Sequence, residues 1–354
     1  MIKTDAQSTT VTSVSITTTV KTTTKATTRP ANLLLTPADG ETVSVVTDIQ
    51  REFMRQVREY GGVDNITMKI PSGENSHPNW VTLVWETVEK RSVVEVSETP
   101  DFADPMTIVT NNQQTLVENL KIDQTYYWRV NGCAPFTFYV ADEGPRFIYV
   151  DWATNIRDLG CWKTADGKRI RQGMLYRGSK LEEELTDKGK EIIRDVLKIR
   201  TDLDLRQDSL ETLTKSPLGE QVALVCIPTD GYSAFFGGNR KINCRKIFNL
   251  LADEKNYPIY FHCVGGVDRT GALAFVLELC LGVSEEDALL DYELTSLSAY
   301  GYRSRATSQY YETLAEYGDE DDTLNEKAYN FLLSCGIAEE TIEKIRGILL
   351  EDDK

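Results

Sequence analysis

Residues Pro258 to Gly282 read PIYFHCVGGVDRTGALAFVLELCLG. An apolar run of strand length comes first, then a glycine-bearing loop that closes on Arg-Thr-Gly, then a segment with the length and composition of a buried helix. Gly282 suits the left-handed position that follows such a helix. Strand, loop and helix together make a βα unit, and in α/β sheets ligands bind at the carboxyl ends of the strands. The preceding stretch repeats the pattern. VALVCIP (222–228) reads as a strand, and 241–251 reads as an amphipathic helix with Ile242, Ile247, Phe248, Leu250 and Leu251 on its apolar face.

The loop itself has a chemical reading. The chain contains two histidines, and one of them, His262, stands directly before Cys263. Gly265 and Gly266 allow successive backbone N–H groups to converge, and the helix starting near Arg269 adds its positive end, which makes an anion-binding nest. Val264, Val267 and Asp268 complete the loop around that anion. Arg269 offers a planar fork that grips two phosphate oxygens. A thiol among converging N–H dipoles and a guanidinium ionises below its reference range, so Cys263 is a candidate thiolate nucleophile. His262 is expected to orient the loop rather than act as a base, and Thr270 to donate its hydroxyl to the departing thiolate. A nucleotide-binding P-loop is excluded, because GGVDRTG lacks the Gly-Lys-Ser/Thr ending. A buried structural cysteine beside a turn is the plain alternative for Cys263 alone, but not for the whole constellation.

Composition bounds the rest. At 354 residues with 41% hydrophobic and 27% charged residues, the chain has the makings of two soluble domains. A formal net charge of −16 argues against nucleic acid or an anionic membrane as the main partner. No apolar run is long enough to span a bilayer. The seven cysteines are odd in number and contain no C-x-x-C pair, which fits neither a disulfide scaffold nor a zinc site, and no metal or cofactor is expected. Residues 1–30 are dominated by Thr and read as a disordered tether, with an added β-strand as the competing reading. The chain as given shows no secretory signal, which leaves the compartment open between the cytoplasm and, if a signal has been removed, the cell surface or exterior.

From 31 to 148 the texture is strands and turns. Val81, Leu83 and Trp85 share one face, as do Val94 with Val96, and Tyr126 with Trp128 and Val130. This predicts an all-β sandwich. The run resembles a fibronectin type III or related immunoglobulin-like domain, with Leu120 and Tyr126 where such domains carry their corner residues. The resemblance implies a protein or surface partner for this module. The stretch 32–56 includes a short helix that the pattern does not place, and His77, in a loop before proline, is expected to be solvated surface.

The catalytic-looking half has its own resemblance. HCVGGVDRTG has the H-C-x(5)-R-T signature of cysteine-dependent protein tyrosine phosphatases and looks like their bacterial family. TNIRDLGCWKTADGKRIRQGMLYRGSKL (154–181), IRTDLDLRQDS (199–209), DYELTSLS (291–298) and GIAEETIEKIRGILL (336–350) agree with it. Cys161 stands where a second glycine is usual, and Val267 where some members carry lysine. Over 149–354 the resemblance implies an α/β phosphatase domain with a central, mostly parallel sheet. It implies hydrolysis of phosphotyrosine through a phosphocysteine, on a phosphorylated protein or small phosphomonoester. The alternatives are an inositol-phosphate or phosphoinositide phosphatase, and a phosphate-binding pseudoenzyme or adhesion module.

A general acid is also needed. Asp230, in IPTDGYSAFFGG (227–238), precedes Cys263 by 33 residues, the placement common in phosphatases of this fold, with glycines that let its loop close. Asp204 and Asp268 are its rivals; Asp204 is otherwise read as a support holding Arg206, and Asp268 as a tie for the loop backbone. Arg157, Asp158 and Arg177 are expected supports rather than substrate contacts. Arg240, Lys241, Arg303 and Arg305 are the cations that an inositol polyphosphate would recruit. Because every candidate catalytic residue lies beyond it, a chain starting near residue 146 is expected to keep turnover of a small aryl phosphate.

Overall fold

The computed structural model describes residues 32–182, 185–207, 213–237 and 241–353. The Thr-rich tether and Arg240 lie outside the described residues. Eight strands fall within 32–140: β1 (Asn32–Thr36), β2 (Glu41–Val43), β3 (Val81–Thr87), β4 (Ser92–Ser97), β5 (Met106–Thr110), β6 (Gln114–Val117), β7 (Gln124–Val130) and β8 (Phe136–Val140). They form a three-stranded sheet, β1-β3-β6, and a five-stranded sheet, β2-β8-β7-β4-β5. Period-2 alternation does the work here: Val81, Leu83 and Trp85 from one sheet and Val94, Val96, Tyr126, Trp128 and Val130 from the other meet in one buried cluster.

The second region is α/β. Its six-stranded mixed sheet runs β14-β13-β15-β12-β10-β9, from β9 (Arg146–Phe147), β10 (Arg157–Asp158), β12 (Leu175–Gly178), β13 (Thr201–Asp204), β14 (Ala223–Cys226) and β15 (Ile259–His262). β12 to β15 are parallel, and β9 and β10 are antiparallel additions at one edge. A short β11 (Lys168–Ile170) pairs antiparallel with β16 (Leu350–Asp352). Gly178, Asp204 and His262 lie level across β12, β13 and β15, so three carboxyl ends converge where Cys263 begins.

Two sequence expectations need correction. In the helix Lys241–Leu251 the buried positions are Cys244, Ile247, Phe248 and Leu251, whereas Ile242 is 50% exposed. The i, i+3, i+4, i+7 stripe therefore starts at Cys244, one residue pair off the face read from branched residues alone. His77 is not solvated surface: its Nε2 sits 3.2 Å from the Ala153 carbonyl, and its ring meets Tyr149 edge-on at 5.0 Å.

The helix that sequence did not place, Asp48–Tyr60, is inserted with its flanks between β2 and β3. It is opened by a capping box of Thr47 and Gln50 and closed by Gly61 at φ 72°. Its buried face does not join the core of the neighbouring sheets. Val46, Phe53, Met54, Val57 and Val63 pack in the same cluster as Phe147, Leu159 and the helices of the α/β region. This revises the truncation outcome, since each such side chain is worth about 1.5–3 kcal/mol when buried. A fragment starting at residue 146 is now expected to aggregate or melt well below the full chain in size-exclusion and thermal-unfolding measurements. A monomeric fragment with the parent's melting temperature would contradict the shared core.

Candidate active site

β15 delivers His262 and Cys263 to a loop that ends where the helix Asp268–Leu281 begins. The loop's carbonyls are taken up from outside. Asn155 Nδ2 donates to the carbonyls of Gly265 and Gly266, each at 3.1 Å, Arg177 Nη2 to Gly266 at 2.9 Å, and the Lys180 N–H to Val264 at 3.0 Å. With these carbonyls engaged by neighbouring segments, the Val267 and Thr270 N–H groups serve the Cys263 thiol. Gly266 is required here: its φ is +67°, and a Cβ would lie 2.4 Å from the Gly178 carbonyl.

Cys263 is 4% exposed. Burial pushes its thiol up, but the Thr270 hydroxyl, the N–H groups of Thr270 and Val267, and the Arg269 charge together hold it below the usual thiol range. Thr270 Oγ1 is buried without a complete hydrogen bond, so Cys263 is the partner its dipole serves. Arg269 is half-buried, and no carboxylate among the described residues pairs with it. Val264, at 39% exposure, stands on the rim.

His262 is fixed at both nitrogens. Nδ1 lies 3.0 Å from the Cys263 carbonyl and Nε2 lies 2.9 Å from Asp202 Oδ1. Burial lowers its pKa, but the charge and hydrogen bond of Asp202, the charge of Asp204 and the Cys263 carbonyl outweigh it, pushing the value up to about 9. At neutral pH the ring is therefore an imidazolium donating both protons, one to the loop backbone and one to Asp202, and has no lone pair with which to act as a base. Asp202 also accepts from Ser216 Oγ at 2.7 Å. Because the folded-state value lies above the ordinary 6.5, this pair's stabilisation is complete below that pH and is lost as pH rises through about 9. Chemical denaturation should show the chain losing about 2–3 kcal/mol between pH 7 and 10 from this pair, and Asp202→Asn should be less stable at pH 7 with a flatter profile. An unchanged slope in Asp202→Asn would remove His262 as its source.

Neither Asp202 nor Asn155 stood among the candidates. A T-D-L-D strand places two carboxylates on one face, which is a signal that a buried cation lies opposite. Asn155 carries no comparable signal, since its loop partners are 110 and 111 residues away.

The supports form a buried network. Arg157 Nε lies 3.0 Å from Asp291 Oδ1 and its Nη1 donates to Asn155 Oδ1 at 2.6 Å; Arg177 pairs with the other Asp291 oxygen. All three charged residues are fully buried, so Asp291, from DYELTSLS, sets the two arms that hold the glycine carbonyls. Asp158 faces away, paired with Arg146 at 2.7 Å and accepting from the N–H groups of Gly160 and Gly173.

The three candidate acids are placed differently. Asp204 is fully buried and takes Arg206 Nε at 3.0 Å and Nη2 at 2.7 Å; burial pushes its carboxyl up, but Arg206 and His262 hold it below the usual range. Arg206 pairs in addition with Glu182. Asp268 is on the rim, with Arg303 Nε 3.6 Å from its Oδ1. Burial and then a hydrogen bond to Asp268 hold the Tyr232 hydroxyl protonated. Asp230 is half-buried on a loop seated against the helix start, since a Cβ on the next residue, Gly231, would lie 2.7 Å from Asp268 Cβ and 3.2 Å from the Arg269 nitrogen. Of the other cations, Arg305 is spent on Glu286 and Glu293, and Lys241 binds Ser334. Among the described residues, no group of three His, Cys, Asp or Glu could hold a metal ion.

Parallel strand ends thus carry a buried cysteine, held below the usual thiol range, into a loop followed by arginine, and this is the candidate site. Residues 148–351, more than half of the chain, match the tyrosine phosphatase family, and the chain belongs to it. A protein of Cupriavidus necator, provisionally named a tyrosine-protein phosphatase, is 26% identical over 179 residues, covering 42% of this chain and 63% of that protein. Among solved structures, the core catalytic domain of the PP-IP phosphatase SIW14 from S. cerevisiae is similar at 20% identity, over 45% of this chain and 89% of that one, with a TM-score of 0.30. TpbA of P. aeruginosa is similar at 18% identity, over 55% and 94%, with a TM-score of 0.27.

Proposed function

We propose that the chain is a phosphoric monoester hydrolase acting on phosphotyrosine through a phosphocysteine intermediate. The observation that carries this is the Cys263 thiol, buried yet held below its usual range by Thr270, the Val267 and Thr270 amides and Arg269. In the first step the thiolate attacks phosphorus as the bond to the tyrosyl oxygen breaks. Arg269 and the loop amides hold the equatorial oxygens, and Asp230 gives its proton to the leaving oxygen. In the second, Asp230 takes a proton from water, which attacks phosphorus and releases the Cys263 thiolate to the Thr270 hydroxyl. Asp230 is given the acid role because its loop follows β14 and is seated against the helix start, where a Cβ on Gly231 would lie 2.7 Å from Asp268 Cβ and 3.2 Å from the Arg269 nitrogen; Asp204 holds Arg206 and Asp268 faces Arg303. His262 and the Asp202 carboxylate position the loop.

The distribution of cations favours a monophosphate. Of the cations considered, Arg303 is the described one at the loop, and Asp268 offsets its charge, whereas an inositol polyphosphate needs several uncommitted cations to replace its hydration. The test is a substrate panel on the purified full chain, with kcat/KM expected to be higher on phosphotyrosine peptides than on inositol hexakisphosphate. A tenfold preference the other way would reverse the assignment, and no turnover of any phosphomonoester would leave a phosphate-binding pseudoenzyme.

For the amino-terminal region we propose a fibronectin type III or immunoglobulin-like sandwich over 31–148 that engages a protein or surface partner, beside a catalytic unit over 149–354. The Tyr126 hydroxyl supports this by accepting the Lys121 N–H at 2.8 Å, the backbone bond of a tyrosine corner. Val46, Phe53, Met54, Val57 and Val63 of that module pack in the core cluster of the α/β region.

A further inference from the structure

A cavity of about 530 Å³ lies between two segments far apart in sequence, residues 63–73 of the insertion and residues 296–302. One wall is apolar, with Ile66, Met68, Ile70 and Pro71. The lining contains no Lys or Arg, and its one carboxylate, Asp64, already accepts from the Tyr302 and Ser304 hydroxyls. Such a lining has nothing to offset a second phosphate and suits an uncharged apolar group.

The cavity adjoins the phosphate loop through one residue. Tyr300 lies against the loop: its ring is 3.0 Å from where a Cβ on Gly265 would stand, and its hydroxyl is 3.4 Å from the Val264 carbonyl. Its neighbours Ala299 and Gly301 line the cavity. The two sides are also fastened together. Glu74 takes the Thr154 hydroxyl and the Ala299 N–H, Ser76 takes the Asn155 N–H at 3.1 Å, and Asn155 holds the loop carbonyls. A chain leaving the phosphate loop past Tyr300, 40% exposed, is directed to a cavity with one apolar wall, edged by Tyr302, 54% exposed.

We propose that this cavity is a specificity subsite that receives an apolar side chain flanking the phosphotyrosine of an extended peptide substrate. The proposal rests on the phosphotyrosine reading above, and its occupant is substrate rather than a stable partner because the segment that lines the cavity, 298–302, also sets Tyr300 against the phosphate loop. The insertion then acts on substrate choice as well as on packing.

The test is kcat/KM of the full chain on matched phosphotyrosine peptides carrying Leu, Phe, Ser or Asp at each flanking position in turn, with a small aryl phosphate as reference. One position should favour Leu or Phe over Ser by about tenfold, the order expected for partial burial of such a side chain. Ser72→Trp, which fills the cavity from an exposed rim position, and Ile70→Glu, which puts a charge in it, should each erase that preference and leave the small substrate within about twofold of the parent. A preference that survives Ser72→Trp, or peptides that all turn over alike, would overturn the subsite. Turnover of the small substrate with none of any peptide would instead overturn the phosphotyrosine reading, and the subsite with it.

Discussion

Cys263→Ser is expected to lower turnover of every phosphomonoester by more than about 10⁴-fold while leaving the fold and phosphate affinity near those of the parent. Arg269, the amides and the external holds on the loop carbonyls are untouched by the substitution, so the anion site persists. A serine hydroxyl in the same place is hardly ionised at neutral pH, because the environment that lowers a thiol into range cannot bring an alcohol so far. Steady-state kinetics with phosphate titration by calorimetry would read both halves. Residual activity within tenfold of the parent would show that Cys263 is not the nucleophile, and loss of phosphate binding with loss of fold would show a structural thiol.

Asp230→Asn should cost two to four orders of magnitude on tyrosyl or alkyl phosphates, which is about the worth of general acid catalysis. Aryl phosphates with very good leaving groups need little protonation and should lose far less. The pH profile carries a second mark, since the limb that reports the protonated acid should flatten in the variant. Equal losses on good and poor leaving groups would give the asparagine variant a structural explanation. Full loss confined to Asp204→Asn would move the role there, against the commitment of Asp204 to Arg206.

What could be read from the amino acids followed how local the information was. The phosphate loop was legible because its residues are consecutive: the strand, the glycines and the arginine specify one turn of backbone. The alternation of Val81, Leu83 and Trp85 was legible for the same reason, since a strand's face is written in its own residues. The supports were not. Asp202 reaches His262 from 60 residues away, and Asp291 reaches Arg157 from 134, so their pairing is decided by sheet order and helix docking. The helix Asp48–Tyr60 shows the limit most clearly. Phe53, Met54 and Val57 announce an apolar face, but nothing in that face says whether it covers the adjacent sheets or, as found, the α/β core. Cys244 was overlooked on the helix Lys241–Leu251 because a thiol is easily discounted as an apolar residue, although free cysteine is among the most buried types.

The central claim is a covalent bond between Cys263 and phosphorus. Rapid acid quench of the full chain during turnover of a phosphotyrosine peptide, followed by peptide mapping under conditions that preserve thiophosphates, tests it most directly. A phosphoryl group is expected on the peptide containing Cys263, formed fast enough to lie on the reaction path and absent in Cys263→Ser. Turnover with no labelled cysteine at any quench time, or with the phosphoryl group on a different residue, would contradict it.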